Sequence, residues 1–250
     1  MGLTSAPQRA VRLPLRNRGV FPGDVLQAVD AFDSVLLGPG VFREGRELVA
    51  TRAGILRWDE AHHRLWVEND QKRYIPALHD HVIGVVSDKN AEEYRLDIGA
   101  PATAVLPLLA FDGASKRNRP QLHVGSLVYC RVVVAHRDME PEVSCKAPPG
   151  VGAAKDWVTR ESVFGELQAG HVFDCPAIVC RGLMDAQGPL LDALADVGAF
   201  ELAVGVNGRV WVDAEQERMV VLVQNAILQS QGWPLAEHTR LVKTLQQSFS

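Results

Sequence analysis

Three groups of residues have types and spacings that could do chemistry. The first is Asp138, Glu140 and Glu142, in the run Asp-Met-Glu-Pro-Glu. Clustered carboxylates hold Mg²⁺ in metal-dependent nucleases, so this run is a candidate for phosphodiester hydrolysis. Met139 and Pro141 alternate with the acids where a strand would begin, and an acidic loop that meets a basic partner surface is the better reading. The second group is His79 and His81, two apart and able to share a strand face as metal ligands, with His62 and His63 nearby in sequence. No Cys or Asp spacing completes a zinc site, so polar packing at a domain joint is preferred and no metal or cofactor is expected.

The third group is Lys116, Arg117, Asn118 and Arg119, inside the stretch Phe111 to Pro120. Three cations in four residues, beside an amide that both donates and accepts, suit a phosphate backbone. Gly113 and Pro120 mark the stretch as a loop. A solvated surface turn is the plain alternative. The surroundings favour binding: from Ala110 to Asp138 five cations stand against two acids, on a chain of net charge −4. A basic island on an acidic protein is a local footprint for nucleic acid or for an acidic partner patch. Gly113 to Arg117 lacks the closing glycine of a P-loop, and no nucleophile elbow or dinucleotide fingerprint occurs.

The elements that must position these residues follow from length and pattern. At 250 residues, 47% hydrophobic and 22% charged, the chain has room for two or three small globular domains. Its pI of about 6.1 argues against a general nucleic-acid coat, which needs positive charge over most of its surface. Cys130, Cys145, Cys175 and Cys180 form no C-x-x-C pair and are expected as reduced, buried thiols. No run is long enough to span a membrane and no apolar leader is present, so a soluble intracellular protein is expected.

Residues 1–19, with Arg9, Arg12, Arg16 and Arg18, read as a flexible basic arm, because Pro7 and Pro14 disrupt a transit-peptide helix. Ala6 stands where myristoylation after Gly2 prefers Ser or Thr. Residues 20–77 read as a small β domain, with strand-like runs at 25–29, 34–37, 47–50, 54–58, 64–67 and 73–75 between Gly and Pro turns. Such short strands need a partner surface, so this domain reads as a docking module.

Residues 78–147 hold five strand-like segments, at 81–87, 92–98, 103–106, 126–135 and 142–146, with the basic loop after the third. That pattern fits an OB-fold barrel, with Gly84 bending its first strand. Tyr94, Phe111 and Tyr129 are the candidate base-stacking aromatics, Tyr129 being equally suited to the core. Residues 148–250 read β-α-α-β-β-α, which resembles a KH domain, followed by a last helix over 235–247. Asp213 is expected to cap the helix whose buried stripe is Met219, Val220, Val223, Ile227 and Leu228. The joint Asp185 to Gly188 lacks the G-x-x-G clamp of nucleic-acid-binding KH domains. Gly205-Val206-Asn207-Gly208 carries that spacing between two strands, where Gly205, Asn207 and Gly208 suit a tight structural turn.

Five stretches in order carry a family resemblance: Asp80 to Gly84, Leu96 to Gly99, Phe111 to Pro120, Asp138 to Glu142 and Gly205 to Val212. Together they resemble the cap subunits of the eukaryotic RNA exosome, of the ribosomal RNA-processing protein forty (exosome component three) family. The likeness runs from about Val20 to the C-terminal helix. It implies an N-terminal β domain, a central OB-fold of the ribosomal-protein-S-one kind and a KH domain whose G-x-N-G turn packs inside the subunit.

The resemblance also implies a non-catalytic protein that braces a ring of RNase-PH-like subunits beside other cap subunits. Such a protein lines the entrance through which RNA reaches a separate exoribonuclease, in the nucleus and nucleolus and also in the cytoplasm. Lys116, Arg117, Asn118 and Arg119 match the family's basic motif and become candidates for the RNA path, with ring subunits as the alternative contact. A short N-terminus and a compressed segment after Cys145 depart from the pattern. A free-standing nuclease and an OB/KH translation factor are the competing readings.

Overall fold

Alternation of apolar and polar residues in short runs turns one face of each N-terminal strand into a core and leaves the other in water. The computed structural model describes residues 17–29, 34–60, 62–69, 73–115, 117–118, 120–136, 138–147, 163–184 and 189–248. The chain divides into two units, 1–70 and 71–250. In the first, β1 (Arg18–Val20), β2 (Val25–Ala28), β3 (Leu36–Leu37), β4 (Val41–Glu44), β5 (Glu47–Ala50), β6 (Gly54–Asp59) and β7 (Arg64–Glu68) form two sheets, β1-β6-β7-β3 and β2-β5-β4. Leu26, Leu48, Leu56, Leu65 and Val67 make its core. Arg18 and Gly19, expected in a flexible arm, pair in β1 with Leu56 and Ile55. Arg9, Arg12 and Arg16 lie outside the described residues. The run at 73–75 forms no strand: Tyr74 is buried, and its phenol donates to Asp80 at 2.7 Å.

In the second unit β8 (His81–Lys89), β9 (Glu93–Asp97), β10 (Ala104–Pro107), β11 (Leu127–Val134) and β12 (Glu142–Ser144) close into a five-stranded barrel, since β11 and β10 both pair with β12. β13 (Gly165–Leu167) adds to the outer edge of β11. At Gly84 the strand packs closely on β9: a Cβ there would lie 3.2 Å from the Leu96 side chain. A register shift between β8 and β9 falls between Val86 and Asp88.

The chain continues as β14 (His171–Asp174), α1 (Ala177–Met184), α2 (Pro189–Ala195), β15 (Glu201–Val204), β16 (Arg209–Asp213), α3 (Glu217–Gln229) and α4 (His238–Ser248). The sheet order is β14-β16-β15. This sheet is covered on both faces, which explains its unbroken apolar strands. Phe173, Val204, Val210 and Val212 join the helical core, while Val172, Ala203 and Trp211 join the barrel's core. KH sheet and barrel therefore share one interior.

Asp213 does not cap α3. It is the last ladder residue of β16, opposite Glu201, and the helix begins after Gln216, whose side chain makes no capping bond. The buried stripe of α3 is Met219, Leu222, Val223, Ala226 and Ile227; Val220 is half-buried and Leu228 exposed, because a 3.6-residue repeat turns position 228 off that face.

Candidate nucleic-acid interface

The loop between β10 and β11 is long, and a long loop holds a shape only if its ends are fixed. Here both are. On the way out, Phe111 bridges Cys145 beyond β12, and the Cys145 amide donates to the Ala110 carbonyl at 2.8 Å. On the way back, the Tyr94 phenol donates to the Pro120 carbonyl at 2.7 Å and accepts from the Leu122 amide at 3.2 Å. Tyr94 and Phe111 are only 4% and 5% exposed, and Leu122 is fully buried.

Between those anchors Ser115 and Asn118 close a tight turn. Each amide donates to the other's carbonyl, at 2.7 and 3.2 Å, and the Asn118 amide also reaches the Ser115 hydroxyl at 3.1 Å. Arg117 and Asn118 are exposed on this turn. Lys116 and Arg119 lie outside the described residues. The turn hands its backbone bonds to itself and so leaves side chains to meet a partner. The expected stacking platform is absent at Tyr94, Phe111 and Tyr129. All three are buried, the first two as loop anchors and Tyr129 against Phe164, with ring centroids 5.3 Å apart. Burial pushes the Tyr129 phenol up to about 12.

The carboxylate run is not assembled as a metal centre. Glu140 accepts two bonds from Arg95 Nη1, at 2.8 and 2.9 Å, while Glu142 lies in β12. Among the described residues no three of His, Cys, Asp and Glu come together as a possible metal site. His79 and His81 have other partners. Arg131 Nη1 lies 2.9 Å from His79 Nδ1, and a cation there repels a metal ion. His81 packs edge-on to Tyr129 and Phe164, and burial followed by the Arg131 charge hold its pKa below the usual value. His62 pairs with Asp59. The four cysteines are free and buried, and burial pushes the Cys130 and Cys145 thiols up.

The Gly205–Gly208 turn is occupied by the protein itself. Asn207 Nδ2 donates to the Ile83 and Ile98 carbonyls at 2.9 and 3.0 Å, its Oδ1 accepts from the Ile83 amide, and the Val206 amide reaches the His81 carbonyl at 2.9 Å. A Cβ on Gly205 would stand 2.2 Å from Asn207 Oδ1 and 2.9 Å from the Ile83 nitrogen. Arg209 extends the seam, donating to the Asp97 carbonyl at 2.6 Å and to its carboxylate at 2.7 Å. The Gly99 amide and, after it, Arg209 hold the Asp97 carboxyl below its usual range. The joint at 185–188, where a KH clamp would sit, lies outside the described residues.

Sequence reasoning missed Tyr94 as the loop's anchor, and also the pairs Arg95–Glu140 and Arg209–Asp97. A tyrosine among apolar strand residues hints at a buried hydroxyl that needs a partner, but which partner is a matter of tertiary structure.

Comparison with known proteins covers most of the chain. Residues 35–73 match the family model described as the Exosome complex exonuclease Rrp40 N-terminal domain, 74–154 that of the Exosome complex component RRP40, S1 domain, and 170–218 that of a KH domain. Exosome complex component RRP40 of Drosophila melanogaster is 40% identical over 211 residues, covering 83% of this chain and 87% of that one. The Schizosaccharomyces pombe protein of the same description is 39% identical over 215 residues, with coverage of 83% and 85%. The Homo sapiens protein is 32% identical over 240 residues, covering 91% of this chain and 84% of its own length. A crystal structure described as an exosome complex RNA-binding protein superposes with a TM-score of 0.52, covering 70% of this chain and 96% of that one; at 19% identity it shares the fold.

Proposed function

The chain belongs to the RRP40 family of exosome complex components, and from that premise we propose that it is a non-catalytic RNA-binding cap subunit that guides RNA toward a separate nuclease. The observation that carries this reading is the pinned loop. Its exposed Arg117 and Asn118 stand on a turn whose two ends are fixed to the barrel's interior. Lys116, Arg117, Asn118 and Arg119 are the residues assigned to the RNA backbone. A preorganised cationic turn contacts phosphate at little ordering cost and without base preference.

The same protein is proposed to brace a ring of RNase-PH-like subunits. In support, the first unit exposes Phe21, Leu36 and Phe42 at 69%, 63% and 61%, large apolar side chains that suit a protein interface. A nuclease built on Asp138, Glu140 and Glu142 would need carboxylates free to converge on a metal, whereas Arg95 already holds Glu140.

The test is a reconstituted complex carrying Lys116→Ala, Arg117→Ala and Arg119→Ala together. The expected result is intact assembly with a shorter or weaker footprint on single-stranded RNA. Unchanged RNA protection overturns the assignment, and failed assembly by a folded subunit makes the loop a protein contact.

A further inference from the structure

A cavity of about 560 Å³ opens on the KH part of the second unit, between the loop after α2, the start of β15, the end of β16 and the first turns of α3. Its floor is apolar: Met219 and Leu222 are buried and Phe200 half-buried. Among the described residues its rim is acidic, with Glu201, Asp213 and Glu215 against one cation, Arg218. Glu201 and Asp213 are direct partners across the β15–β16 ladder, an arrangement in which like charges repel. Among the described residues the side chains of Glu201, Asp213 and Glu215 make no ion pair or hydrogen bond. Glu215 gains from its place just ahead of α3, where a helix N-terminus favours an acid; Glu201, opening a strand, has no such support.

We propose that this cavity docks a short protein segment in which one bulky apolar side chain is flanked by Lys or Arg. The apolar side chain would fill the space over Phe200, Met219 and Leu222, and a flanking cation would sit between Glu201 and Asp213, relieving their repulsion. The volume falls in the range of ligand pockets and holds such a side chain with its neighbours. Charge selects the class of partner: an acidic rim repels a polyanion and attracts a basic peptide. The site is therefore separate from the RNA path, and its failure would leave that assignment standing.

The probe is the peptide acetyl-Gly-Arg-Leu-Arg-Gly-amide, titrated into the isotope-labelled full chain while backbone amide resonances are followed. Saturable shifts are expected at Gly198 to Glu201 and at Ala214 to Met219. Glu201→Lys should weaken binding about tenfold, a loss of the size expected when a close charge pair is reversed. That variant keeps its fold, because it turns a like-charged cross-strand pair into an opposite one, and its melting temperature is recorded alongside. Replacing the peptide's Leu by Gly should weaken binding comparably. The proposal is overturned if no shift is seen at millimolar peptide, if a peptide with Glu in place of Arg binds equally well, or if an oligouridylate shifts the same amides.

Discussion

Asn207 directs its side-chain hydrogen bonds to the backbone of β8 and of the residue just beyond β9, so it fixes the turn to the barrel rather than to any ligand. Asn207→Ala strands the Ile83 amide and the Ile98 carbonyl and leaves the Ile83 carbonyl with the Arg209 guanidinium alone. It should lower stability by about 3 kcal/mol, read from denaturant unfolding at constant m-value. Gly205→Ala should be as harmful, since its methyl has no room beside the Asn207 amide and the Ile83 nitrogen. Tyr94→Phe makes a subtler case. The ring stays in the core but loses its bonds to Pro120 and Leu122, so stability should fall by only about 1 kcal/mol. Amide exchange at Leu122 should quicken well beyond that of the barrel strands, because the loop's return leg loses its tether.

Among the elements, the seam between β8, β11 and the KH sheet has its own pH dependence. His81 on β8 faces Tyr129 and Arg131 on β11, with Phe164 over its ring and Asp80 beside it in sequence. Its folded pKa is lowered, so the unfolded chain binds the proton more readily. Its contribution is whole above the unfolded value of about 6.5 and declines as pH falls from there through the lowered folded value. His81→Phe should flatten that part of the stability curve. Asp80 works in the opposite sense: burial raises its pKa, so its cost fades in acid and partly offsets the loss.

The five barrel strands and the KH order were legible in the sequence because each strand is a short, largely apolar run bounded by turns. The cap of α3 was not. Asp213 has the chemistry of a cap, but the β15–β16 ladder claims it, and ladder pairing is decided by the partner strand. The run at 73–75 failed for the converse reason: Tyr74 had a core to enter, Ile75 stays exposed, and the run has no strand to pair with.

For the molecule as a whole, the basic loop was legible because residue type, turn signals and local charge all lie within one stretch of chain. How it is held was not. Tyr94 and Pro120 stand 26 residues apart, and Arg95 and Glu140 stand 45 apart, separations at which only the closed barrel brings partners together. Stacking at Tyr94, Phe111 and Tyr129 fails as an expectation for the same reason, since a surface stacking aromatic and a core aromatic look alike until the barrel closes. With those rings inside, the RNA contact proposed for the loop rests on phosphate, and binding of that kind should tolerate any sequence.

The task proposed for this loop is to neutralise RNA phosphates with its cations. The most direct measurement is the salt dependence of single-stranded RNA affinity, made on the assembled complex with the native chain and with the Lys116, Arg117 and Arg119 triple alanine variant. Counterion release predicts that the variant's plot of log affinity against log salt is shallower by about 2, since each phosphate left unneutralised takes roughly 0.7 off the slope. Identical slopes for the two complexes would contradict the claim.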